Sequence, residues 1–165
     1  MTLTIVRLKT WSCMPEIFDI LNAQGQTLIS NIRKNMTDAG QNATGETANS
    51  LQFEIKQEST KYKFTLTGRP FFMTVQTGRK PTPGKKPSRD MISNLTRWVN
   101  ARGLPASSVW AIATKIQEEG TKLWRDGGRY DIVNPATDEF INKSAEAILD
   151  NEAETFKIKI DQLQW

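Results

Sequence analysis

Histidine is absent from the 165 residues, and cysteine occurs once, as Cys13. Without histidine the chain lacks the commonest general base, the Ser-His and Cys-His nucleophile pairs and most zinc ligand sets. A single cysteine excludes an intrachain disulfide framework, and Cys13 reads as a core or near-core thiol. No apolar run approaches the roughly 18 residues of a membrane span. The first residues, MTLTIVRLKTW, alternate polar and apolar and lack the continuous apolar core of a signal peptide. The expectation is one domain over residues 1–165 with an ordinary hydrophobic fraction of 38%. A net charge of +4 says little by itself, so its distribution matters more.

The hydrophobic pattern is strong. Residues 2 to 9 read as a strand. Ser12 is suited to cap the next helix, in which Ile17, Ile20, Leu21, Leu28, Ile32 and Met36 recur at three- and four-residue steps until Gly40. Gly25 inside that helix costs about 1 kcal/mol relative to Ala. Leu51, Phe53 and Ile55, then Tyr62, Phe64 and Leu66, alternate with polar residues across a short turn, the signature of a β-hairpin. Ser88 caps a helix with Met91, Ile92, Leu95, Trp98 and Val99 inward, and Gly103 and Pro105 end it. A second helix follows over about 106 to 119, with Val109, Ile112, Ala113 and Ile116 inward. Asn134 and Pro135 start another, striped by Phe140, Ile141, Ala145, Ile148 and Leu149. Phe156, Ile158 and Ile160 alternate with charged residues and read as a last strand. The sum is an α+β fold: an antiparallel or mixed sheet of about four strands packed against amphipathic helices.

The segment from Gly68 to Leu104 organises the rest. An apolar patch, Phe71, Phe72, Met73 and Val75, leads into a loop over residues 78–87 rich in Gly, Pro, Lys and Arg, and a helix follows. Prolines without amide protons and unburied cations keep such a loop out of a core. We expect it to project, to be loosely ordered in the isolated subunit, and to order on meeting a partner. Arg69, Arg79, Lys80, Lys85, Lys86, Arg89, Arg97 and Arg102 concentrate positive charge here against Asp90. Arg79, Lys80, Lys85, Lys86 and Arg89 are the candidate contact residues, toward an acidic protein face or toward phosphates.

Other chemistry is sparse. Gly78 to Lys86 departs from a nucleotide-binding P-loop: five residues separate the glycines, Lys86 occupies the magnesium-binding hydroxyl position, and prolines remove cradle amides. Asp126, Asp131, Asp138 and Glu139 fit turn and cap roles more simply than a metal site. No catalytic, cofactor or metal residues are assigned. Trp11, Trp110, Trp124 and Trp165 are candidates for partial exposure, as at protein interfaces.

An ordered set of features resembles the tail-completion, or neck, proteins of long-tailed bacteriophages, also described as minor tail components. After the long helix, Thr44-Gly45-Glu46-Thr47-Ala48-Asn49-Ser50-Leu51 is similar to the family's Thr-Gly-x-Leu-x-x-Ser-aliphatic segment. After the hairpin, Pro70-Phe71-Phe72-Met73-Thr74-Val75-Gln76-Thr77-Gly78 is similar to its aromatic-x-x-x-Val-Glu-x-Gly-Thr signature. Gln76 stands in place of the usual Glu, Thr47 in place of an aliphatic residue, and Arg79 in place of Thr. The Pro-rich loop, the Trp-bearing helix, Ala-Ile-Ala-Thr-Lys-Ile and a terminal helix and strand complete the order over about residues 12 to 160. The motif residues are thus Thr44, Gly45, Ser50, Leu51, Phe72, Val75 and Gly78.

The resemblance implies a non-enzymatic structural virion protein of the head–tail junction, assembled in the host cytoplasm, without cofactor or membrane. It would form a ring of copies of itself between the portal or connector proteins and the tail-tube protein, terminating the tail and docking it to the capsid. Contact with genomic DNA in the channel would be a further partner. The competing expectation is a sequence-nonspecific DNA-binding module that uses the basic loop. A steep salt dependence of DNA retention separates it from the structural reading.

Overall fold

The computed structural model describes the backbone of residues 2–5, 15–58, 61–69 and 72–163, with side chains from 16 to 154 within those ranges. Ser12, Cys13, Trp11, Phe71 and Trp165 lie outside them. The elements run β1 (Thr2–Ile5), α1 (Pro15–Asp38), α2 (Glu46–Asn49), β2 (Gln52–Glu58), β3 (Lys61–Thr67), α3 (Thr74–Thr77), α4 (Arg89–Ala101), α5 (Ser108–Glu119), α6 (Lys122–Arg125) and α7 (Asn134–Leu163). The chain divides into two compact units. One comprises Met1–Asn31, Gln52–Thr67 and Asn134–Trp165, and the other Ile32–Leu51 and Gly68–Val133.

The first unit holds the sheet, which is antiparallel in the order β1-β3-β2. The hairpin pairs Ile55 with Phe64 and Phe53 with Leu66, so these alternate residues share one face. Phe64, in the central strand, is 1% exposed and anchors the core. Its ring lies 5.2 Å from Phe53 and 4.5 Å from Phe140 of α7. Gly25 of α1 meets the same rings: a Cβ there would stand 2.9 Å from carbons of both Phe53 and Phe64. The helical cost of Gly25 is therefore the condition for α1 to approach the sheet. Ile17, Leu21, Leu28 and Ile29 are buried along the same helix, in keeping with its sequence stripe.

Two expectations need correction. The described sheet has three strands, and residues 156–160, read as a fourth, continue α7. Period-two alternation over five residues is short, and an uninterrupted helix entering from Asn134 overrides it. The buried face of α7 is also rotated from the one expected. Ala136, Thr137, Phe140 and Ser144 face inward, Ala145 is exposed, and Ile141 and Leu149 are 38% and 68% exposed.

The second unit is helical. Ser88 caps α4, its Oγ accepting the Met91 amide at 3.2 Å, with Asp90 in the first turn as expected. Helices α4 and α5 pack on each other as the short turn predicts, with Met91, Val99, Val109 and Ala113 buried. Trp98 is only half-buried, and the Arg102 guanidinium lies 5.3 Å from its ring centroid. The stretch 121 to 134, expected to be irregular, contains the one-turn helix α6.

Candidate functional site

Both motif segments lie in the second unit. Gly45 takes a left-handed φ of 72° at the N-cap of α2, a conformation glycine adopts without a Cβ penalty. Thr44 is exposed just before it. Ser50 Oγ donates to Thr47 O and accepts the amide of Arg69 at 3.1 Å. Leu51 is 2% exposed. A Cβ at Gly68 would lie 3.1 Å from the Leu51 side chain and 3.5 Å from Phe72 Cβ, so one residue of each segment lies against this glycine. Glu46 binds two cations, Arg69 and Arg97, the latter at 2.7 Å. The Arg69 hydrogen bond, with the Arg97 charge beside it, holds the Glu46 carboxyl below the usual carboxylate range. Val75 is half-buried, and Gly78 packs where α3 meets α6.

The basic loop then divides into a strap and a tip. Arg79 N donates to Thr121 Oγ1 at 2.9 Å, and Arg79 O accepts the Thr121 amide at 2.9 Å. Thr82 N donates to Gln117 O at 2.8 Å, and Gln117 Nε2 donates to Thr82 O at 3.2 Å. Residues 79–82 are thus bound to the corner between α5 and α6, whereas the whole loop was expected to be loose. Close approach depends on two glycines. At Gly78 a Cβ would come within 2.4 Å of Trp124 N, and at Gly120 within 2.8 Å of Arg79 O. Beyond the strap, Pro83, Gly84, Lys85 and Lys86 are exposed, and among the described residues nothing lies within 4 Å of where a Gly84 Cβ would stand. The chain re-enters regular structure at the Ser88 cap.

The eight clustered cations therefore separate by role. Arg69 and Arg97 are taken by Glu46, and Arg102 donates to Gly40 O at 2.7 Å while covering Trp98. Arg79, half-buried on the strap, and the exposed Lys80, Lys85, Lys86 and Arg89 remain. Among the described residues no carboxylate pairs with any of these five within salt-bridge distance. These five are the residues that the sequence reading proposed for contact, and the other three arginines have structural partners.

Sequence reasoning missed a second network. Gln76 is 5% exposed, its Oε1 accepts the Val133 amide at 3.0 Å, and its carbonyl accepts the Arg129 amide at 2.9 Å. Arg129 in turn holds Asp131 with contacts of 2.6 and 2.7 Å. That hydrogen bond lowers the Asp131 carboxyl and raises Arg129. A polar residue inside an apolar motif, followed by glycines, was the available signal. An open hollow of about 330 Å³ lies beside it, lined by Gln76, Thr77, Trp124, Gly127, Gly128 and Tyr130. Trp110 and Trp124 are exposed, as expected.

The carboxylates near residues 126 to 139 are engaged locally: Asp126 by Lys122, Asp131 by Arg129, and Glu139 by Lys143 and Asn31. Among the described residues no group of three acidic or thiol side chains could hold a metal ion, and no helix is long and apolar enough to cross a membrane. Compared with protein-family models, curated proteins and solved structures, the chain matches none.

Proposed function

We propose that the protein is a structural component of a bacteriophage head–tail junction, a tail-completion or neck protein that ends the tail and docks it to the capsid connector. It acts by contact rather than by chemistry, in a ring of its own copies, in the virion. The observation that carries this reading is the basic loop. Its base is tied to a helical corner by four hydrogen bonds, and its tip presents cations that meet no carboxylate of the described chain. A hydrogen-bonded base beneath an exposed charged tip suits a docking element. Ser50 holds the Arg69 amide, and Leu51 and Phe72 both lie against Gly68, an arrangement in keeping with the two family-like motifs serving one local structure.

The test is complementation of a phage defective in its own copy of this chain, scored by electron microscopy for joined particles. The wild-type chain should restore joined heads and tails and be present in them. Joining without it, or its absence from purified particles, overturns the reading.

A second reading, a nonspecific DNA-binding module, is favoured by one observation. The helical unit carries fourteen Lys and Arg against seven Asp and Glu. Strong retention of duplex DNA, steeply weakened by salt and lost in the Lys85→Ser, Lys86→Ser variant, would select it.

A further inference from the structure

The helical unit holds a net charge of +7, whereas the sheet-bearing unit has eight Lys and Arg against eleven Asp and Glu, a net −3. That negative charge is concentrated on α7, from Asp138 to Glu154. With 3.6 residues per turn, Asp138, Ala145 and Leu149 lie on the side away from the buried Ala136, Phe140 and Ser144, and Glu146 and Asp150 lie along one flank of it beside Leu149. All five are exposed, Leu149 by 68%. Among the described residues no cation pairs with Asp138, Glu146 or Asp150. Lys143, the one described cation on this helix, is held by Glu139. The helix therefore presents an apolar spot, Leu149, beside carboxylates that meet no cation among the described residues.

We infer that this face of α7 receives the basic tip, Lys85 and Lys86 with Lys80 and Arg89, of a second copy of the same chain. The occupant is argued from charge. The same molecule carries one patch of cations and one of anions, on different units, neither of which meets an opposite charge among the described residues. Leu149 supplies apolar contact that the aliphatic stems of lysine can cover. A contact between unlike patches is head-to-tail, so each copy uses both, and such contacts close into rings or extend into filaments. The inference deepens the reading above by naming the surface that the loop meets. Its test reads solution association rather than joining, so either can fail without the other.

Sedimentation velocity at low and high salt is the experiment. The wild-type chain should associate weakly and increasingly with concentration at low salt, and dissociate at high salt. Lys85→Glu with Lys86→Glu, and separately Glu146→Lys with Asp150→Lys, should each weaken association by roughly tenfold or more, because like charges then face each other. The chain carrying all four reversals keeps the wild-type net charge, and its association should return. Circular dichroism verifies that each variant is folded. A wild-type chain that stays monomeric at low salt overturns the inference. So does equal association of all four proteins, or a folded four-fold variant that remains monomeric. If the loop reversals instead abolish retention of duplex DNA while self-association is untouched, the loop's partner is nucleic acid and the inference falls.

Discussion

The side chain of Gln76 accepts the backbone amide of Val133 at 3.0 Å, in a place where Gln76 is 5% and Val133 2% exposed. One buried amide thereby ties the family-like motif to the last residue of the helical unit, 57 positions away. Replacing Gln76 with Ala removes this acceptor from a buried donor. The expected loss of stability is about 1–3 kcal/mol, measured by urea unfolding. A loss within about 0.5 kcal/mol, the usual range for surface changes, would mean the bond contributes nothing.

Gly78 has φ 70° and ψ −178°, a region open essentially to glycine alone. A side chain there would also collide with the backbone of Trp124. Gly78→Ala is therefore expected to cost about 3 kcal/mol or more, combining strain with displacement of the strap. The unfolding midpoint decides it, and a wild-type midpoint would contradict both arguments.

Glu46 provides the pH dependence. Its carboxyl titrates lower in the folded chain than its ordinary value of 4.5, first because Arg69 hydrogen-bonds its charged form. A lowered folded value means that the stabilisation is fully present above the unfolded value and is lost as pH falls through the folded one. Glu46→Gln should accordingly be less stable than wild type at pH 7. The gap should narrow below the ordinary carboxylate range and close in stronger acid. A gap that is constant with pH would assign the effect to packing instead.

Trp98 refines an expectation from periodicity. Its position between Leu95 and Val99 suggested a fully buried ring, which when removed costs about 3–5 kcal/mol. It is half-buried beneath Arg102, so Trp98→Ala should cost about 2 kcal/mol, nearer to partial burial of a large side chain. Thermal and urea unfolding of Trp98→Ala beside Arg102→Ala would show whether the two share one contact.

What the residues disclosed followed how local the physics was. The stripe of α1, the hairpin at residues 51–66 and the Ser88 cap depend on spacing and single side chains, and each is legible directly. The end of α7 is not, because five alternating residues cannot outweigh a helix propagating into them. The face of α7 was misjudged for a related reason. Ile141 and Leu149 are apolar, but the ring it meets, Phe64, selects Phe140 and turns Ser144, on the same side, inward with it. Within the candidate site, loop composition identified the cations. It could not separate Lys85 and Lys86 from Arg69, Arg97 and Arg102, whose partners Glu46 and Gly40 are distant in sequence. The strap was hidden likewise, since Thr82 and Gln117 are 35 residues apart.

Thr121 is the residue on which the strap can be tested. Its Oγ1 accepts from Trp124 N at 3.3 Å, capping α6, and from Arg79 N at 2.9 Å, fixing the loop base. Valine has the same shape without the acceptor. Thr121→Val is expected to cost about 1 kcal/mol, as loss of a cap does. Native-state hydrogen exchange distinguishes cap from strap. In the wild-type chain the amides of Arg79 and Thr82 should be protected, while those of Gly84, Lys85 and Lys86 exchange rapidly. In the variant Arg79 should lose protection first, whereas Thr82 keeps its bond to the Gln117 carbonyl. Lys85→Ser with Lys86→Ser should alter neither the melting temperature nor the protection of Thr82, because both side chains stand in solvent. A wild-type Thr82 that exchanges as fast as Gly84 would mean that the loop has no fixed base. The division into strap and tip would then fail, and with it the argument that the tip is presented for docking.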